Sequence, residues 1–134
     1  MQQIFDLGGF KIQLLKKAND SNDHEIFHAT GPKDTGPGPH YHQWQESFFV
    51  IDGSINYGIG PDTGVAQAGD FFSVAAETPH WFKFGEAGGA MLIITSTAKA
   101  SNMFADFHNN VNWTSPDRAA LIALAAQHGQ KIIV

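Results

Sequence analysis

The chain contains no cysteine. Disulfides, thiolate metal sites and a cysteine nucleophile are therefore excluded, and any metal must be held by histidine, aspartate or glutamate. Positive charge is scarce: eight lysines and arginines stand against thirteen acidic residues, a net charge of −5 with neutral histidines. No basic cluster is present to follow a phosphate backbone, so nucleic acid is not an expected partner. The single arginine is Arg118, and the lysines nearest the motifs described below are Lys33 and Lys83. That scarcity argues against a strongly anionic substrate. No apolar run approaches the roughly 20 residues of a spanning helix, so no membrane association is expected. Residues 1–6 carry neither a basic start nor an apolar stretch. No signal peptide is expected, and the expected location is cytoplasmic.

What is present is a β-forming composition. Hydrophobic residues make up 43% of 134 positions, enough for one domain with a real core, and residues 1–134 read as one. Fourteen glycines, six prolines and eleven phenylalanines point to short strands and tight turns around an aromatic interior. Residues 4–15 read as one or two strands broken at Gly8-Gly9, and residues 24–30 as another. In the latter, Ile26 and His28 share a face opposite Phe27. Residues 31–39, with three prolines and three glycines, form an irregular loop. Residues 46–51 alternate Glu46, Phe48 and Val50 with Ser47, Phe49 and Ile51. Both faces are largely apolar, so both are expected to be covered, the outer one by a second copy of the chain or by another segment. Turns are expected at Asp52-Gly53, residues 60–64, Gly69-Asp70 and residues 85–89, with strands between them and a last strong strand over residues 91–97. The texture then becomes helical: a short helix over residues 98–109, and a second after the capping run 114–118 that ends at Gly129. Both are expected to pack outside the barrel. Residues 132–134 read as a tail strand or a frayed end.

The chemistry-bearing stretch is residues 38–53. His40 and His42 lie two apart, and Glu46 follows at the same parity, so in extended backbone all three project to one face. Imidazole and carboxylate together suit a divalent transition metal. His80 heads a later strand as a further imidazole. Glu46 could simply ligate, or could act as the catalytic carboxylate that takes a substrate proton.

The pattern His-x-His-x3-Glu-x6-Gly, carried by His40, His42, Glu46 and Gly53, resembles the cupin superfamily. Gly69 and His80, eleven apart, resemble the start and the histidine of that family's second motif. Asp34 stands where the first motif often has glycine. Ala75, Glu77 and Phe84 stand in place of the second motif's usual proline, glycine and asparagine. None of these four is a ligand position. The resemblance covers roughly residues 35–97 and implies an all-β jelly-roll barrel, over about residues 4–97. The helical segment, about 98–129, is similar to that appended to small quercetin-dioxygenase-like cupins. The resemblance also implies one divalent ion (Fe, Mn, Ni, Co, Cu or Zn) on His40, His42, Glu46 and His80, with positions left open for chemistry.

Phe48, Tyr57, Phe82 and Phe84 are candidates to line a pocket for a small flat or apolar molecule. Trp44 is expected at a barrel mouth or a dimer contact, and Glu77 at the surface. His28 is weighed as a residue pointing into the barrel. The expected activity is a quercetinase-like dioxygenase on a neutral or enolisable small molecule. The rivals are a metal-dependent isomerase or lyase on a sugar or keto acid, and a non-catalytic metal- or ligand-binding module. A homodimer is expected.

Overall fold

The structure, a computed structural model, describes residues 3–134. The all-β jelly-roll implied by the sequence is what the chain forms. Strands β1 (Ile4–Leu7), β2 (Phe10–Lys16) and β3 (Glu25–Gly31) pair in succession, and β3 pairs with β8 (His80–Thr95). Strand β5 (Glu46–Ile59) runs along β8 over most of its length and also pairs with β6 (Asp62–Gln67) and β7 (Phe71–Val74). The short β4 (His40–His42) pairs with β8 on one side and with β9 (Gln130–Ile132) on the other. Helices α1 (Ala100–Asn110) and α2 (Arg118–Gln127) stand between β8 and β9.

Two expected turns are bends inside long strands. Asp52-Gly53 does not reverse the chain: β5 continues through it, with shifts of register between Val50 and Asp52 and between Gly53 and Ile55. Residues 85–89 likewise stay within β8, where Gly53 pairs with Gly89. Gly53 has φ 69°, and a Cβ there would lie 2.0 Å from the Gly88 carbonyl oxygen. Glycine thus lets two crossing strands fold together at one place, as a bulge does, and the pair curls into both halves of the barrel.

The core is filled by the inward-facing residues of these strands: Ile12, Phe27, Phe48, Val50, Ile55, Phe84, Met91 and Ile93 are essentially inaccessible. In β3 the inward face is Glu25, Phe27 and Ala29, while His28 is half-buried on the other side. His28 therefore does not enter the barrel; the bulk of Phe27 decides the parity. Glu25 is tolerated inside because its carboxylate accepts from Ser101 N (2.9 Å), Ser101 Oγ (2.7 Å) and Ala18 N (3.1 Å). These bonds satisfy both a buried charge and an otherwise unpaired donor of the first turn of α1. They pin α1 to β3.

Tethered in this way, α1 does not merely coat the barrel. Met103, Phe104 and Phe107 are buried against the core, and Phe104 meets Phe27 edge-on at 5.1 Å. Helix α2 starts at Asp117, whose side chain accepts from Ala120 N, and stops before Gly129 at φ 86°. His128 donates to Asp106 and clasps the two helices together. Beyond Gly129 the chain returns as β9, a tail strand that begins two residues before the one expected over 132–134.

Removing the Glu25 anchor should be costly. Glu25→Ala is expected to lower unfolding stability by about 3 kcal/mol, since it strands the buried donors of Ser101 and frees the half-buried Ala18 N–H. Urea unfolding checks this; an unchanged midpoint would show that α1 is held by other contacts.

Candidate metal centre

The loop before β4 is laid along β8. Asp34 N donates to the Phe84 carbonyl at 2.9 Å, Phe84 N to Thr35 O at 2.9 Å, and Phe82 N to Pro37 O at 3.3 Å. Gly36, at φ 140°, passes so close that a Cβ would lie 2.3 Å from the Phe82 carbonyl oxygen. This path delivers His40 opposite His80 in the β4–β8 pairing. Residues 43–45 leave the strand, and Glu46 opens β5. His40, His42, Glu46 and His80 are all buried, and their donor atoms lie within 4.8 Å of one another. The four residues singled out in the sequence are thus brought together, from three strands.

The orientation of the rings is fixed from behind. His40 Nδ1 donates to Gly38 O (2.8 Å), His42 Nδ1 to Trp44 O (2.9 Å) and His80 Nδ1 to Thr78 O (2.8 Å). A carbonyl can only accept, so each Nδ1 carries the proton and each Nε2 of the neutral ring presents a lone pair. His42 Nε2 and His80 Nε2 lie 3.1 and 3.2 Å from Glu46 Oε1. Imidazole lone pairs aimed at a carboxylate oxygen repel unless a cation, a proton or a metal ion, is shared among them. This donor set of three nitrogens and one carboxylate fits a divalent metal ion.

Protonation follows the same logic. Burial, with His80 adding to it, pushes His40 down to about 4, so it is a neutral ligand at physiological pH. Burial works to raise the Glu46 carboxyl, but hydrogen bonds and charge from His42 and His80 outweigh it and hold it well below the usual carboxylate range. For His80, burial works downward and the Glu46 hydrogen bond and charge prevail, raising it. The two imidazoles beside Glu46 thus keep its carboxylate ionised despite its burial.

Trp44 is neither at a rim nor on an outer face. It is 1% exposed and stacks on the His42 ring at 4.2 Å and 5°. Its indole and the Trp44 carbonyl together brace His42. Glu77 is exposed, as expected, with its backbone N–H on the His42 carbonyl at 2.7 Å.

Beside His40 and Glu46 lies a cavity of about 120 Å³. Its walls are Leu7, Phe10, Phe82, Ile93, Met103, Phe104, Phe107 and Trp113, with Gln130 entering from β9. Of the four expected pocket aromatics only Phe82 lines it. Phe84 instead packs over Gly31 and Gly89, and Phe48 and Tyr57 sandwich Phe72 at 4.7 and 4.3 Å. The curl of β5 and β8 carries these three to other parts of the core. The cavity is closed by α1 and β9, whose contributions the sequence did not signal: a helix stripe looks the same over a core or a cavity, and three residues of strand have no period. An adjoining hollow of about 140 Å³ shares His40 and Gln130 and adds Arg118. Arg118, remote in sequence from the motifs, is therefore close to them in space. Among the described residues no helix is long and apolar enough to cross a membrane.

His42→Ala removes one ligand and leaves Trp44 unbraced. Protein purified without added metal should carry an ion in the parent and at least ~10-fold less in this variant. Elemental analysis decides it; equal metal in both would remove these residues from any metal site.

The cupin domain family matches residues 27–95, more than half of the chain. No curated protein matches it. An RmlC-like cupin from Shewanella frigidimarina NCIMB 400 superposes with a TM-score of 0.68 at 23% identity, over 76% of this chain and 89% of that one. KdgF from Halomonas sp. gives 0.66 at 14% identity, over 75% of this chain and 90% of its own. Bacillus subtilis oxalate decarboxylase, a protein with Mn(II) centres, gives 0.66 at 15% identity; 75% of this chain is covered but only 29% of the decarboxylase. At such identities the likeness is one of fold. With the family match over both motifs and the jelly-roll that carries them, the chain belongs to the cupins.

Proposed function

We propose that the chain is a metal-dependent enzyme, a dioxygenase acting on a compact, uncharged, enolisable molecule. The observation that carries this reading is the apolar cavity opening onto His40 and Glu46. No lysine or arginine lines it. A divalent ion held by His40, His42, Glu46 and His80 would supply the positive charge that draws and polarises a substrate oxygen. The Mn(II) centres of the oxalate decarboxylase support a divalent ion without fixing its identity.

The chain's own residues do the rest. Phe10, Phe82, Phe104 and Phe107 hold an apolar ring and keep water out. Glu46, ionised and lining the cavity, is the carboxylate in place to take the substrate's acidic proton. Size narrows the substrate. An apolar cavity of ~150 Å³ takes up benzene, and this one is about 120 Å³. One ring or a short diketone matches this volume, which favours a substrate smaller than a three-ring flavonol.

Arg118 favours a second reading. It lines the hollow shared with His40, where a carboxylate could rest. On that reading the enzyme is an isomerase or lyase of a small keto acid. Oxygen-electrode assays of the metal-loaded protein separate the two. The dioxygenase reading expects O2 uptake with catechol-like compounds or 1,3-diketones and little with flavonols. Turnover of keto acids without O2 uptake would favour the second. Tight binding with no turnover of either class would leave a ligand-binding module.

We also propose that the chain acts as a homodimer. Phe49 (40% exposed), Ile51 (44%) and Phe71 (62%) lie on the outer face of β5 and β7, and Phe49 pairs with both Phe71 and the half-buried Leu92. Water-exposed apolar strands of this extent are what a second copy covers. Light scattering should give twice the chain mass, and Phe71→Glu should shift it toward the monomer. A monomeric mass for the parent would refute the dimer.

A further inference from the structure

Gln130 is the last fully buried residue of the chain, and nothing in the motifs points to it. It is 7% exposed and lines both the metal-side cavity and the adjoining hollow. Several buried polar groups nearby are committed, although the Trp44 indole N–H, stacked behind His42, has no partner among the described residues. Glu25 is bonded to Ser101, each proposed histidine ligand to a backbone carbonyl, and Trp113 Nε1 to the Phe107 carbonyl. No residue of the chain takes the Gln130 carboxamide as a partner among the described residues. Its amide atoms are reached from the cavity space that the residue lines rather than sealed in the core, so they are free to bond a molecule held there.

Its place is also fixed. β9 pairs with β4, so that Gln130 lies opposite His42 and Ile132 opposite His40. The strand carrying two of the four proposed ligands thus also sets the position of this amide. Apart from His40, Glu46 and the amide itself, the side chains of the cavity wall are apolar, from Phe82 to Met103 and Phe104. A carboxamide offers both a donor and an acceptor and carries no charge.

We propose that Gln130 selects and orients the substrate. Its carboxamide hydrogen-bonds a hydroxyl or carbonyl of a ligand whose other oxygen faces the four ligands and whose ring fills the apolar cavity. The chemical class is a compact, uncharged ring or enol with two oxygens set apart across it. This rests on the reading of the cavity as the substrate site. A site built to bond such a group rejects the analogue that lacks it, because its own polar group is then left unpaired.

The test titrates Co2+-loaded protein with phenol, resorcinol and hydroquinone, read from the cobalt absorption bands. Catechol, which can place both oxygens on the ion, is the chelation control. At least one of resorcinol and hydroquinone should bind ~5- to 10-fold more tightly than phenol, the worth of one hydrogen bond. In Gln130→Leu that gain should vanish while phenol and catechol hold their affinities. Gln130→Glu, which still accepts from a hydroxyl, should keep it. Because the amide has no partner in the free protein, the urea midpoint of Gln130→Leu should equal or exceed the parent's. A gain that survives in Gln130→Leu, or a clear fall in its midpoint, overturns the proposal in favour of a structural amide. Equal binding of phenol and the two diols also overturns it, with the cavity reading intact. If neither phenol nor any diol binds the parent, the cavity reading itself fails, and this inference with it.

Discussion

The constraint on which the site depends is a cluster of lone pairs. Three imidazoles are turned so that each Nε2 faces inward, because each Nδ1 proton is spent on a carbonyl two residues away in sequence. A carboxylate oxygen is set within 3.1–3.2 Å of two of them. Such a cluster is stable only around a cation. The backbone carbonyls of Gly38, Trp44 and Thr78 therefore matter as much as the ligands: they choose the tautomer and remove the freedom of the rings to swing away.

The barrel follows from the need to deliver those residues. His40 and His80 face one another only because β4 and the start of β8 pair, and Glu46 reaches them only because β5 turns in beside β8. Both long strands must curl to do this, and the crowded glycines at Gly53 and Gly88–Gly89 let them approach where side chains would collide. The cap is the second requirement. Glu25 ties α1 to β3, the His128–Asp106 contact ties α2 to α1, and β9 closes against β4. Together they convert an open barrel end into an apolar chamber beside the ligands.

Much of this was legible in the sequence. The two-residue spacing of His40 and His42 and the matching parity of Glu46 do place three donors on one side, although residues 43–45 leave the strand between them. Gly129 ends α2 where glycine implied, whereas the helix starts later than expected: Asp117 is its cap, and Pro116 precedes the first turn instead of lying in it. The misreadings have physical causes. Asp52-Gly53 meets the positive-φ requirement of a hairpin turn, and a bulge between two long strands makes the same demand. His28 and Phe27 alternate equally well on either parity, and the presence of Glu25 on the inner face hides the answer until Ser101, 76 residues away, supplies its partner. Phe48, Tyr57 and Phe84 have the composition of a pocket wall, but which aromatics face a cavity depends on strand curl. Gln130 and the α1 wall are products of tertiary packing alone, since no short-range pattern distinguishes a residue beside a core from one beside a chamber.

The central claim is that the three histidines and Glu46 share one ion through Nε2. Anomalous diffraction from crystals of the Co2+-loaded protein tests it most directly. The account predicts one strong peak bonded to Nε2 of His40, His42 and His80 and to a carboxylate oxygen of Glu46, at roughly 2.0–2.2 Å. A peak bonded through Nδ1, a peak elsewhere, or an intact His42–Glu46–His80 hydrogen-bonded cluster with no ion at saturating cobalt would contradict it.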